Sequence, residues 1–420
     1  MALSEAARAA LMPAAAGAAA SAAPPWYLIL FFGALAALGP LSIDVYLPAI
    51  PSIAADFGVT VVSLQNTLNV FLVGYGIGQF FGGALSDQIG RKRIGYLGLA
   101  VYFATSIAIA FTSSLPEMLA LRFFQAIGGG FSTVICMATV RDIYPVEQLG
   151  RRFATVTMVL LIAPLLAPSL GYLLLPLGWE AIFVVKAAYA GLLLAAYARL
   201  VPETRAGRLG NLSLRLVFRQ CFEVVRRRVG ERRLPIRYAT AMAFSAACMM
   251  IFVTNSSFIY MQYFGVGPGE FSLLFAASVL GFMSMNLFSM WRLKSDNAGT
   301  FFRAGLTVQV LVVATLLTVV VTGNASLPTV VPLIVLAVAT LGAIGPAGSS
   351  RYMGYFRELA GSASSVYTTM MFFLGGTFGW LSGTLNNGTL LPLAAMMLGA
   401  SLTANTISWG LPRPAQPASR

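Results

Sequence analysis

About twelve runs of roughly 20 mostly apolar residues follow one another along this chain, each long enough to cross the hydrocarbon core of a bilayer as an α-helix. They lie near 26–47, 64–86, 94–112, 117–140, 152–175, 180–200, 238–262, 270–291, 301–323, 327–348, 361–385 and 389–411. The connections are mostly short, and many carry Pro or Gly, as at Pro48, Pro116, Pro176, Pro268 and Pro328. A 420-residue chain that is 58% hydrophobic and 10% charged holds more apolar surface than a water-facing globule can hide. The pattern predicts an all-α integral membrane protein with twelve transmembrane helices.

The net charge of +13 would suggest a nucleic-acid partner in a soluble protein. Here the basic residues are segregated. Arg91, Lys92 and Arg93 follow the second run, and Arg141, Arg151 and Arg152 the fourth. Arg226, Arg227, Arg228, Arg232, Arg233 and Arg237 lie between the sixth and seventh. Arg292, Lys294 and Arg303 follow the eighth, and Arg351 and Arg357 the tenth. The alternate connections hold Asp56, Glu180 and Glu270. Basic loops stay on the cytoplasmic side, so both termini are expected there, and lipid headgroups account for the charge without nucleic acid.

The basic stretch divides the runs six and six. Residues 1–25 read as a disordered cytoplasmic tail, 26–201 as a first six-helix bundle and 202–236 as a basic cytoplasmic linker with an amphipathic helix. Residues 237–411 read as a second six-helix bundle and 412–420 as a short cytoplasmic tail. Cys136, Cys221 and Cys248 match no metal spacing, and the chain has no histidine. With no paired intramembrane carboxylates and no nucleophile motif either, an enzyme is not expected.

The stretch "GGALSDQIGRKRIG" (82–95) packs glycines, an aspartate and three basic residues between two apolar runs. At Gly83, Asp87, Gly90, Arg91, Lys92 and Arg93 it resembles the loop signature of the major facilitator superfamily. "SIDVYLPAIPSIAADF" (42–57), "LRFFQAIGGG" (121–130), "ATVRDIY" (138–144), "APLLAPSLGYLL" (163–174) and "AGSASSVYTTMMFFLGGTFG" (360–379) are similar to the Bcr/CflA drug-efflux subfamily. The resemblance implies two six-helix halves that alternate access to a central cavity. It also implies a latch in which Asp87 faces the start of the eleventh run, with Arg91 and Asp142 as an auxiliary pair. Pro164, Pro168 and Gly171 match an antiporter-type motif in the fifth run.

Ionisable residues inside spans are costly and mark functional positions. Asp44 lies near the outer end of the first run, and Arg122 and Lys186 lie about 9 Å deep, counting ~1.5 Å per residue. The family fold implies that Asp44 and Arg122 approach each other in the cavity, with Asp44 as the carboxylate for which proton and substrate compete. It places the helix of Lys186 outside the cavity; there Lys186 snorkels or pairs with Glu117, and only if it faces the cavity instead does it contact substrate. Tyr46, Gln65, Asn69, Gln125, Asn255 and Tyr260 are further candidate substrate contacts.

The expected function is a proton-coupled antiporter of the bacterial inner membrane. It needs no cofactor beyond the proton gradient and acts as a monomer on small organic molecules, which the subfamily resemblance implies are drugs such as phenicols or bicyclomycin-like compounds. The alternatives are export of a siderophore or other anionic metabolite, favoured by Arg122 and Lys186, and uptake of a solute on the same fold.

Overall fold

A computed structural model describes residues 26–204, 214–228, 234–294, 297–356 and 359–411. The expected tails at 1–25 and 412–420, linker positions 205–213 and 229–233 (with Arg232 and Arg233), and Arg357 and Glu358 lie outside the described residues. Among the described residues there is no strand. The helices are α1 (Trp26–Asp44), α2 (Ile50–Asp56), α3 (Val61–Ile89), α4 (Arg91–Ile109), α5 (Leu115–Ile143), α6 (Val146–Leu174), α7 (Glu180–Leu200), α8 (Leu214–Arg226), α9 (Leu234–Ser257), α10 (Pro268–Arg292), α11 (Ala298–Val321), α12 (Leu327–Met353), α13 (Ala360–Thr384) and α14 (Leu391–Trp409). Among the described residues, ten segments are long and apolar enough to cross a membrane, the first of them running through α1 and α2. Two further long helices, α4 and α13, are diluted by Arg91 to Arg93 and by Ser, Thr and Gly respectively.

Local chemistry sets the ends. Thr60 caps α3 by accepting from the Ser63 amide at 3.1 Å, and Ser326 and Thr329 form a reciprocal capping box on α12. Gly90, at φ +113, makes the turn between α3 and α4 in a region that side chains rarely adopt. The first run is not one helix. α1 stops at Asp44, and a 3₁₀ turn at Leu47–Ala49 leads into α2. Pro48 has no amide hydrogen with which to continue the ladder. The seventh run ends in a π-helical turn, Phe258–Tyr263.

The first six long helices pack mainly among themselves, as do the last six, and α3–α13 and α6–α10 join the two sets. Apolar packing differs between the two ends. Toward the end carrying Asp56 and Glu180, one buried cluster takes residues from both sets, from Tyr46, Leu68 and Phe183 to Ile251, Tyr260 and Phe271. Toward the basic end there are two separate clusters. One is built on Phe32, Tyr102 and Tyr197, the other on Met242, Phe302 and Tyr352. Between them lies a cavity of about 510 Å³. The bundle is thus sealed at its acidic end and parted at its basic end.

Candidate functional site

The break in α1 is where the buried charges meet. A helix ending at Asp44 leaves last-turn carbonyls without intrahelical donors, and these carry the negative end of the helix dipole. The Ser42 carbonyl receives two cations: Arg122 Nη2 from α5 and Lys186 Nζ from α7, each at 3.1 Å. Arg122 Nη1 also donates to Gln125 Oε1 at 2.6 Å, and Gln125 Nε2 donates to Ser106 Oγ of α4 at 2.7 Å. The Ser42 hydroxyl shares a 2.5 Å hydrogen bond with Tyr102.

Aromatic faces complete the enclosure. The Arg122 guanidinium lies 4.5 Å from the Tyr46 ring centre and 4.3 Å from that of Phe71. Lys186 Nζ lies 5.1 Å from Tyr46 and 4.6 Å from Phe183. Desolvated cation–π contacts of this kind contribute about 2 kcal/mol each. α6 touches the same place through Gly171, where any side chain would strike the Val45 carbonyl, so that motif position permits close approach to the break. Pro164 and Pro168 lie within α6, which continues through both.

Arg122, Lys186 and Asp44 are 0%, 4% and 5% exposed. This differs from the sequence expectation in two respects. Arg122 does not pair with Asp44, and among the described residues no cation stands within 4.0 Å of that carboxylate. The guanidinium is instead taken up by Ser42, Gln125 and two rings. Lys186 is not outside the cluster, and Glu117 is not its partner. Lys186 interacts electrostatically with Asp44, whereas Glu117 accepts from Thr112 Oγ1 at 2.9 Å.

The other candidates form a second, uncharged group at the seam between the halves. Asn255 Nδ2 of α9 donates to Ser382 Oγ of α13 at 2.8 Å and to Thr254 Oγ1 at 3.2 Å. Asn69 Nδ2 donates to Asn66 at 3.2 Å, and its Oδ1, like Thr254 Oγ1, packs against Gly379. Gln65, one turn from Asn69, is buried with both amide atoms unpartnered. Tyr260 stands apart, buried between Phe252 and Phe271.

At the basic end, Asp87 pairs with Arg91 at 3.2 Å, and Arg91 Nε with Asp142 at 2.5 Å. The sequence reading missed Glu203. Its carboxylate accepts the amides of Arg91 at 2.9 Å and Lys92 at 3.1 Å, capping α4 from just beyond α7. It also crowds Gly90, where a side chain would collide with it. Lys92 Nζ donates to the Ala198 carbonyl at 2.8 Å, Thr204 Oγ1 to Asp142 at 3.1 Å, and Arg93 is exposed. Gly83 makes only ordinary contact with Val134 and lines the cavity. Asp87 and, from the start of α13, Gly361, Ser362 and Ser365 line that same cavity.

A bundle of this kind, with buried charges in one half and a cavity between halves at the basic end, defines a multi-pass membrane transporter. The chain belongs to the Major Facilitator Superfamily, whose profile matches residues 30–380, and falls in its Bcr/CflA drug-resistance group. It is 29% identical to a bicyclomycin resistance protein homolog of Haemophilus influenzae, over 91% of this chain and 94% of that one. It is 31% identical to a chloramphenicol resistance protein of Pseudomonas aeruginosa, over 84% and 81%. Among solved structures it superposes on a D-xylose–proton symporter with a TM-score of 0.74 at 15% identity, covering 92% of this chain and 98% of that one. That likeness concerns the fold.

Proposed function

We propose that the protein exports small organic molecules across the bacterial inner membrane in exchange for protons. Twelve helices cross the bilayer with both termini in the cytoplasm. The two halves rock about α3–α13 and α6–α10, opening the central region to each side in turn. The parted, basic end is the cytoplasmic one.

One observation carries the coupling: Asp44 is buried at the α1 break beside Lys186 and Arg122, and its carboxylate is not neutralised by a close ion pair. A proton or a substrate group can therefore compete for the site, and competition for one carboxylate yields exchange. Relatives named for bicyclomycin and chloramphenicol resistance support export of such drugs. Latch and coupling roles are assigned to Asp87, Arg91 and Asp142 and to Asp44, Arg122 and Lys186 respectively. A single chain holds all of them.

A second substrate reading rests on the charge count. Two cations against one carboxylate leave the cluster positive when all three are ionised, which favours an anionic metabolite. Proteoliposomes with an imposed pH gradient test both readings. Wild type should move chloramphenicol or an organic anion against its gradient. Asp44→Asn should lower gradient-driven transport about 100-fold, the scale of losing one essential proton-transfer group. Undiminished gradient-driven transport by that variant would remove Asp44 from the coupling step.

A further inference from the structure

The helix joining the two halves, α8, has one face built into the protein and another that is not. On the inner face Val224 is fully buried and Cys221 partly so. Gln220 and Cys221 line the cavity, and Gln220 Oε1 accepts from Ser362 Oγ of α13 at 3.4 Å. The Phe218 ring lies 5.9 and 6.1 Å from Phe80 and Phe81 of α3. The helix therefore touches both halves at the mouth of the cavity.

Its outer face has a different composition. Advancing around the helix at 3.6 residues per turn, Val225, Phe218 and Phe222 form one strip, and Arg215, Arg226 and Arg219 form the strip beside it. Phe218 is 53%, Phe222 54% and Val225 36% exposed. The three arginines are exposed as well, as are Arg227 and Arg228 just beyond. The Arg226 guanidinium stacks 4.2 Å from the Phe222 ring centre. The one acidic residue of the helix, Glu223, sits past the arginine strip.

Water does not stabilise such a face. An interface that offers an acyl boundary and phosphates side by side does. The geometry keeps α8 at such an interface. It is held against the ends of α3 and α13, and only seven residues separate Arg226 from the start of α9, a tether of at most about 25 Å.

We propose that the outer face of α8 docks onto the anionic phospholipid surface of the bilayer that holds the bundle. Phe222 and Val225 enter the acyl boundary, and Arg215, Arg219 and Arg226 meet headgroup phosphates. Because the same helix contacts Phe80 and Phe81 on one side and Ser362 on the other, lipid charge acts on the width of the cavity mouth. The inference needs only that the bundle lies in a bilayer, and not a particular substrate or coupling ion.

The test uses the full chain in nanodiscs, with Cys221→Ser and a spin label at Val225→Cys. Immersion is read from relative accessibility to oxygen and to a water-soluble nickel chelate. In discs with roughly one-third phosphatidylglycerol the label should be immersed, and in pure phosphatidylcholine it should be water-exposed. Changing Arg215, Arg219 and Arg226 together to Gln should lower the preference for the anionic disc about a hundredfold, at about fivefold per basic residue, while changing them to Lys should preserve it.

Equal immersion in both lipids, or an unaffected Gln variant, overturns the proposal. So does displacement of the label by soluble glycerol phosphate, which would reveal a phosphate site rather than a surface. If the Gln variant fails to fold, wild-type protein in ~1 M salt decides: screening to about 3 Å should abolish the lipid preference, and persistence overturns the proposal.

Discussion

The two halves of the molecule repeat one helical plan and fill it with different chemistry. The first six long helices bury Asp44, Arg91, Arg122 and Lys186. Among the described residues the last six bury no charged side chain. Their interior polar contacts are neutral pairs such as Ser245–Gln309 and Asn255–Ser382, both at 2.8 Å. A buried charge needs several partners held in fixed geometry, and its loss strands the others, whereas a neutral pair in a membrane interior contributes modestly. On the proposed mechanism, this difference puts the energy-coupling chemistry in one half and makes the other the surface against which it moves.

Arg122 gives the sharpest way to break that comparison. Arg122→Ala strands Gln125 Oε1, leaves the Ser42 carbonyl to Lys186 alone and opens a void between Tyr46 and Phe71, so unfolding in detergent should become easier by about 3 kcal/mol. Arg122→Lys keeps the charge but not the two-pronged contact, and transport should fall about tenfold with a smaller loss of stability. A fully active Ala variant would show that the charged half is packing alone.

Lys186→Met comes next. It keeps the volume on Tyr46 and Phe183 and removes the surplus positive charge. An anionic substrate should lose about tenfold in affinity while a neutral drug changes little, the scale of one charge-assisted contact. Equal effects on both would mean that Lys186 acts through Asp44 and not on substrate.

A smaller effect is expected at the basic end. Glu203→Gln replaces a carboxylate that accepts two amides of α4 and should cost about 1 kcal/mol. Cys221 reports on the same region. Burial pushes its thiol above the ordinary range, so at neutral pH little thiolate is present, and maleimide labelling should still be accelerating past pH ~8.5. Cys136 and Cys248, buried within the bundle, should not compete. Labelling of Cys221 that is insensitive to inhibitor or substrate would argue against a cavity that opens and closes there.

The sequence made some of this legible and hid the rest for physical reasons. Helix-length apolar runs, and charges confined to alternate loops, are one-dimensional signals, so the all-helical plan and the amphipathic α8 could be read directly. Position along a helix axis is also one-dimensional, and Arg122 and Lys186, counted to one level, both reach the Ser42 carbonyl. Rotation about a helix axis is not. Counting residues from the membrane surface therefore could not show that Arg122 turns to Gln125 while Lys186 is the cation that interacts with Asp44. The Ser42 carbonyl escaped notice because every residue has one. Only the break after Asp44 makes this one available, and Pro48 was its only sequence trace. Glu203 was invisible because its partners lie 112 and 111 positions away in the chain.

The smallest expected effect tests the neutral half. Asn255 and Ser382 meet across α9 and α13, and Asn255 also keeps a bond to the Ile251 carbonyl at 2.8 Å, so losing Ser382 leaves the amide partly satisfied. Asn255→Ala and Ser382→Ala should each destabilise the protein by about 1 kcal/mol, and a double-mutant cycle should return a coupling near 0.6 kcal/mol, the average for such contacts in membrane interiors. The pH profile of transport should not move in either variant, because neither group carries a charge in any step. A coupling of several kcal/mol, or a shifted profile, would place part of the proton chemistry in the second half and dissolve the division between the two.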